Sequence, residues 1–445
     1  MSQRWSPRSW RDKVVTQQPI YQDPEALDDV LARLRSLPTL VTSWEVESLK
    51  AQLAEVARGD RFVLQGGDCS ESFSDCNSEV ITAKLKILLQ MSLILVYGCK
   101  KRVIRVGRFA GQYAKPRSLD TESRGEETLP SYRGDLINRS AFTAADRNPD
   151  PELLIEGYER AAMTLNFIRA LTAGGFADLH HPDYWDLNFV SHSAQAEEYH
   201  AMVATITDSI RFLETVTGSE LSDIGRADVF ASHEGLLLPY EEAQTRQVPR
   251  RSGWYDLTTH FPWIGNRTRD IDGAHVEFFR GIANPIGVKI GGQITPDELV
   301  RLAEVLNPDR EPGRLTLIHR FGADEIGSGL PPLIEAIKKS EQVVVWMCDP
   351  MHGNTETTPD GLKTRHFDNI LRELDEAFTL HCQAGTWLGG VHFEMTGENV
   401  TECLGGARGL SPDDLKQTYK SQVDPRLNYE QALEMALLIA RRMDG

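Results

Sequence analysis

Eight short apolar, β-branched runs punctuate this 445-residue chain, at positions 62–64, 103–106, 229–231, 257–261, 286–290, 315–318, 343–347 and 391–393. Several are apolar throughout and do not alternate, the pattern of parallel strands buried on both faces. From the third run to the seventh, the starts fall 28 or 29 residues apart, about the length of one strand-loop-helix-loop unit. Helical patterns fill the gaps, at 77–96, 295–306, 332–339, 362–380 and 428–442. Thr295-Pro296-Asp297-Glu298 reads as a capping box with proline in the first turn. Alternating strands and helices imply a parallel sheet. Eight of them predict an α/β chain folded as a (β/α)8 barrel, with a doubly wound sheet as the alternative that counting leaves open.

The rhythm breaks once. More than a hundred residues separate the second and third runs, with helical patterns at 151–173 and 194–216 and a polar loop at 117–138. These predict extra helices inserted at about 119–225 into one catalytic barrel, 59–445, which follows a helical, proline-punctuated extension over 1–58.

Forty-eight Lys and Arg against 65 Asp and Glu give a net charge of −17. That sign disfavours partners such as nucleic acid or an anionic membrane, which want a basic surface. It leaves room for small anions met by a local cluster of cations. The longest apolar stretch, 87–97, is interrupted by Gln90 and Ser92 and is too short for a span. No apolar segment follows the basic N-terminus, as a secretory signal would require. The six cysteines lack a framework spacing. Reduced thiols and a cytoplasmic location are expected.

Polar residues gather just after the expected strands, where a (β/α)8 barrel carries its active site. Arg108, Lys115, Arg117, Arg267, Lys289 and Arg320 form a cationic set. Buried long cations are costly unless an anion meets them, and six exceed the need of one carboxylate. They point to two anionic, phosphorylated small molecules. The competing reading is structural ion pairing with Asp68, Asp135, Glu234 or Glu277. A second set, Cys69, His352, Glu394 and Asp424, mixes thiolate, imidazole and carboxylate, which suits a borderline divalent ion such as Mn, Co, Fe or Zn. Its spacing matches no local zinc motif, so placement alone carries it. His180-His181 reads as a solvated loop, and the Gly66-Gly67 and Gly291-Gly292 pairs lack nucleotide-loop spacing.

Together the motifs resemble the type II, plant-like 3-deoxy-D-arabino-heptulosonate 7-phosphate (DAHP) synthases. The matching stretches are LQGGDCSESF from Leu64, VGRFAGQYAKPRS from Val106, SYRGDLIN from Ser131, SHEGLLLPYE from Ser232, WIGNRTR from Trp263 and DGAHVEFFRGIANPIGVKIGG from Asp272. LTLIHRFG from Leu315, CDPMHGNT from Cys348, GGVHFEMTGENVTECLGG from Gly389 and VDPRLNYEQALEMA from Val423 complete the set. The resemblance runs from about Trp5 onward. It implies a (β/α)8 barrel with an N-terminal extension and extra helices. It also implies a metal-dependent, aldol-like condensation of phosphoenolpyruvate with erythrose 4-phosphate at the entry to the shikimate pathway. On this resemblance Cys69, His352, Glu394 and Asp424 hold a divalent metal: Mn or Co, with Zn, Fe or Mg as alternatives. Arg108, Asn266, Arg267, Lys289 and Arg320 receive phosphoenolpyruvate. Lys115, Pro116, Arg117 and Ser118 receive the aldose phosphate. Glu234 stands near the reacting centre, and Lys289 or an ordered water beside Glu234 moves protons. A homodimer or homotetramer, inhibited by aromatic amino acids at the added helices, is implied as well.

Three departures stand out. Asn266 replaces the usual Glu, Val423 stands where some relatives carry a second Cys, and His319 and Phe321 flank Arg320 where Ser and Met are common. The alternatives are a secondary-metabolism relative of phenazine type, one using an imino sugar phosphate, or an inactive regulatory paralogue.

Overall fold

The computed structural model describes residues 5–174 and 228–444, with Phe176, Glu197, Ala201, Ala204, Thr205 and Asp208 between them. The expected helix at 194–216 and the pair His180-His181 lie largely outside the described residues. Eight strands close on themselves: β1 (Arg61–Gly67), β2 (Arg102–Arg108), β3 (Val229–Glu234), β4 (Phe261–Ile264), β5 (Ile286–Ile290), β6 (Leu315–His319), β7 (Val345–Cys348) and β8 (Gly390–Glu394). The ring runs β1-β8-β7-β6-β5-β4-β3-β2, with every neighbour parallel. This is the (β/α)8 barrel that the repeat spacing predicts.

Strand alternation divides the side chains between two cores. Val63, Ile104, Val106, Phe230, Phe261, Ile318, Val345 and Met347 pack together with Leu49, Leu53 and Val56. The last three belong to α2 (Ser43–Ala57), which follows α1 (Pro24–Ser36) in the N-terminal extension. α2 closes the end of the barrel where the strands begin. Lys50 Nζ donates to Ala283 O at 3.2 Å just before β5, and Trp387 Nε1 donates to Val56 O at 3.0 Å just before β8. With that end plugged, the strand C-termini are the open face. Residues of opposite parity, among them Leu317, Trp346, Cys348, Val391 and Phe393, join the larger core under the helices.

Those helices are α3 (Ser78–Cys99), α5 (Pro296–Leu306), α6 (Ile326–Ser340), α7 (Phe367–Gln383) and α8 (Tyr429–Asp444), with α4 (Glu152–Ala173) supplied by the insertion. The Asn77 side chain accepts from Val80 N at 3.0 Å to start α3, and the Thr295–Glu298 capping box starts α5. α3 corrects one expectation: by length and composition it is a candidate membrane span, yet 67% of its most apolar window is buried. Its apolarity is explained by burial against β1, β2, α4 and α8.

Two local expectations also shift. The fourth strand sits at Phe261–Ile264 rather than 257–261. Leu257 instead spends its carbonyl on Leu40 N and Val41 N, at 3.1 and 3.2 Å, and is buried against the extension. The loop at 117–138 holds an antiparallel hairpin, Thr121–Arg124 with Glu127–Pro130, turned at Gly125 (φ +64°). Gly98 on α3 faces α8 so closely that a Cβ there would lie 2.3 Å from Ala440 Cβ. Gly98→Ala should therefore cost about 1–3 kcal/mol of stability by overpacking, read as a lower urea midpoint with unchanged slope.

Candidate active site

The fourteen residues assigned above to the metal, the two substrates or the reacting centre all line one cavity of ≈ 370 Å³ at the open face, together with Gln112, Glu122, Trp263, Thr355 and Lys363 among others. Their elements explain the convergence. Arg108, Glu234, Lys289 and Glu394 sit at or next to strand ends, while Cys69, Asn266, Arg267, Arg320 and His352 open the loops that follow.

Glu394 is ringed by four basic side chains. It is 0% exposed. Its Oε1 lies 3.0 Å from His352 Nε2, 3.1 Å from Arg108 Nη2 and 3.7 Å from Lys115 Nζ, and its Oε2 lies 2.8 Å from Arg365 Nη1. Burial alone would push its carboxyl up, but these neighbours hold it well below the usual range. Arg108 is fixed in turn by Asp68 O (2.8 Å), Cys69 O (3.0 Å), the His392 ring and the face of Trp263, 5.2 Å from the ring centroid. A polar chain continues from His352 Nδ1 to Asp349 Oδ2 at 2.7 Å and on to the Lys289 ammonium. Burial in this cationic setting lowers the Lys289 pKa to about 8, although Asp349 opposes the shift.

One donor atom each from Cys69, Glu394 and Asp424 lies within 4.8 Å of the others. His352 joins this group through Glu394. The Lys115 ammonium rests among them, in contact with Cys69 Sγ and Asp424 Oδ2. Burial, aided by Glu394, pushes the Cys69 thiol up to about 12. A thiol, two carboxylates and an imidazole thus converge on a point that a cation already balances. These residues fit a borderline divalent ion.

The profile of the Class-II DAHP synthetase family matches residues 5–440. The chain belongs to that family. It is 46% identical to a phospho-2-dehydro-3-deoxyheptonate aldolase of Neurospora crassa, covering 98% of this chain and 94% of that one. It is 47% identical to a protein of the same name from Streptomyces coelicolor, with 97% and 96% covered. A further such aldolase, from Mycolicibacterium smegmatis, is 45% identical with 97% and 93% covered.

Within this DAHP synthetase barrel the six cations divide. Arg108, Lys115 and Lys289 pair with Glu394, Asp424 and Asp349. Arg117 Nη2 donates to Glu122 Oε1 at 3.1 Å. None of these is the pairing expected for a purely structural set: Asp68 goes to Lys84 and Arg426, Asp135 to Tyr132 and Ser72, and Glu277 to Arg280. Arg267 donates to Ser118 Oγ at 2.8 Å and Arg320 to His352 O at 2.9 Å. Among the described residues neither has a carboxylate partner. The buried Oε1 of Glu234 also lacks a hydrogen-bond partner, and burial raises its pKa despite Lys289, Lys115, Arg108 and Arg267. The Asn266 Oδ1 accepts from Arg269 Nε at 3.0 Å, which ties the replaced side chain to its own loop.

Four supporting residues escaped the strand-end rule. Lys363 comes from a small hairpin, Glu356–Thr357 with Lys363–Thr364, and Arg365 follows it directly; Lys363 Nζ lies 2.6 Å from Asp424 Oδ1. Lys84 projects from α3 to Asp68. Arg426 donates to Asp68 Oδ1 at 2.6 Å and forks onto Glu402 at 3.0 and 2.8 Å. Only Arg426 carried a signal, its place two residues after Asp424. Arg426→Met leaves two buried carboxylates underpaired beneath Cys69 and Asp424. A loss of about 3–5 kcal/mol is expected, measured by urea unfolding.

Proposed function

We propose that this pocket condenses phosphoenolpyruvate with D-erythrose 4-phosphate and water to give DAHP and inorganic phosphate. The observation that carries the reading is the convergence, in one cavity, of the cationic set with the thiol–imidazole–carboxylate set. Arg267 and Arg320, without carboxylate partners among the described residues, are the anion receptors, with Lys289 and Arg108 deeper at the strand ends. These four, with the backbone at Asn266, take the phosphoenolpyruvate carboxylate and phosphate. Arg117 and Ser118, at the mouth behind Pro116, take the aldose phosphate, and Lys115 lies between the two sites.

Cys69, His352, Glu394 and Asp424 would hold a divalent cation of the Mn or Co class, which would supply Lewis-acid polarisation to the aldehyde oxygen. The chain's own residues do the rest. Arg267, Arg320 and Lys289 orient the enol so that its C3 bonds to the aldehyde carbon. Water then adds at C2, one of its protons passes to the former aldehyde oxygen, and the other leaves with phosphate as the C2–O bond breaks. Glu234 lines the cavity with a buried oxygen that has no hydrogen-bond partner among the described residues, and is the group to carry a proton from that water. Asp349 fixes the orientation of both Lys289 and His352.

Purified enzyme supplied with Mn²⁺, phosphoenolpyruvate and erythrose 4-phosphate should form the heptulosonate and one phosphate per turnover. Phosphate without a seven-carbon product would refute the reading. Cys69→Ala should lower turnover at least a hundredfold while leaving circular dichroism unchanged, and full activity would remove Cys69 from the ligand set. The lowered Lys289 pKa gives a signed pH dependence. The ammonium persists below pH about 8 and is lost above it, so the KM for phosphoenolpyruvate should climb as pH rises through that value. Lys289→Arg, which stays charged, should move the inflection out of range.

A further inference from the structure

We propose that His319, Cys348 and Glu373 form a second cation site, for a borderline divalent ion of the zinc class, outside the barrel wall and separate from the cavity above. One donor atom of each lies within 4.8 Å of the others. All three residues are 0% exposed.

The location follows from strand alternation. His319 ends β6 and Cys348 ends β7, and the two are register partners. Their neighbours Ile318 and Met347 point into the barrel. His319 and Cys348 therefore point outward, towards α7, which presents Glu373. Lys289 and Glu394, by contrast, line the catalytic cavity.

Chemistry favours an ion over a buried hydrophobic contact. Among the described residues neither ring nitrogen of His319 has a hydrogen-bond partner, and the same holds for Nε2 of His381, two turns along α7 from Glu373. The two imidazoles lie 5.7 Å apart by ring centroid. Burying unpaired polar nitrogens beside a thiol and a carboxyl costs free energy that a lone pair–metal bond recovers. Glu373 is already oriented: its Oε1 accepts from Phe321 N at 2.8 Å and its Oε2 from Asn354 Nδ2 at 2.7 Å. Thiolate, imidazole and carboxylate are ligands zinc accepts, at about 2.0–2.3 Å, so the donors need to close by only about 1 Å. Binding releases the Cys348 thiol proton to solvent.

The consequence reaches the pocket. Phe321 follows Arg320, and Asn354 lies two residues after His352. An ion on Glu373 would tie both loops to α7, holding the Arg320 anion receptor and the His352 loop in place. The site needs no particular substrate, so it stands or falls apart from the function proposed above.

The test uses the full-length Cys69→Ala chain, purified from zinc-supplemented cells and dialysed against EDTA to strip the open cavity. About one equivalent of zinc per chain should remain, and it should fall at least tenfold in Cys69→Ala/Cys348→Ser and in Cys69→Ala/His319→Leu. Cobalt-grown Cys69→Ala should show a thiolate-to-cobalt charge-transfer band that Cys348→Ser removes. His319→Leu keeps the comparison should Cys348→Ser fail to fold. A folded Cys69→Ala chain with neither zinc nor the band, or zinc that persists in the double variants, overturns the proposal.

Discussion

The Glu394 carboxylate, buried at the end of β8, is the charge around which the polar architecture is arranged. A bare carboxylate at that depth would protonate or cost several kcal/mol. Here Arg108, Arg365, His352 and Lys115 surround it, drawn from β2, the residue after a small hairpin, the loop after β7 and the loop after β2. Each of those partners is held by something else in turn, Lys115 by Cys69 and Asp424. Arg108 reaches the backbone of Asp68 and Cys69, Arg365 reaches the Pro425 carbonyl beside Asp424, and His352 reaches Asp349 and through it Lys289. Fixing one carboxylate thereby fixes the thiol, the second carboxylate and a substrate-facing ammonium. The N-terminal helix α2 contributes from the far end, since plugging the barrel floor leaves only one open face.

Strand alternation gives the same barrel wall two chemistries. Inward parity at the strand ends builds the DAHP synthetase cavity. Outward parity on β6 and β7 builds the buried His319–Cys348–Glu373 group under α7. The two are linked through short loops, because Arg320 and Asp349 each follow a residue of the outer group directly.

The barrel was legible in the sequence because repeated units of 28 or 29 residues leave few architectures to choose from, and buried parallel strands are apolar on both faces. The convergence of these residues on one cavity was legible for a related reason: a polar residue immediately after an apolar strand has one place to go. Roles were less so. Lys115 reads as a phosphate ligand, yet its ammonium lies among the sulfur and carboxylate group, a contact that depends on χ angles and not on spacing. The fourth strand moved because Leu257 found hydrogen-bond partners in the extension, a long-range effect invisible in local pattern. Lys84, Lys363 and Arg365 arrive from a helix, a small hairpin and the residue that follows it, which carry no strand-end signal. The apolarity of α3 reflected burial on several sides, which composition alone does not separate from membrane insertion.

The most direct measurement is a crystal structure of the enzyme with Mn²⁺ and phosphoenolpyruvate bound. The metal is expected on Cys69, His352, Glu394 and Asp424, with the Lys115 ammonium displaced from Cys69 Sγ and the phosphoenolpyruvate anions on Arg267, Lys289 and Arg320. A metal seated elsewhere in the cavity, with Lys115 still against the Cys69 sulfur, would contradict that assignment.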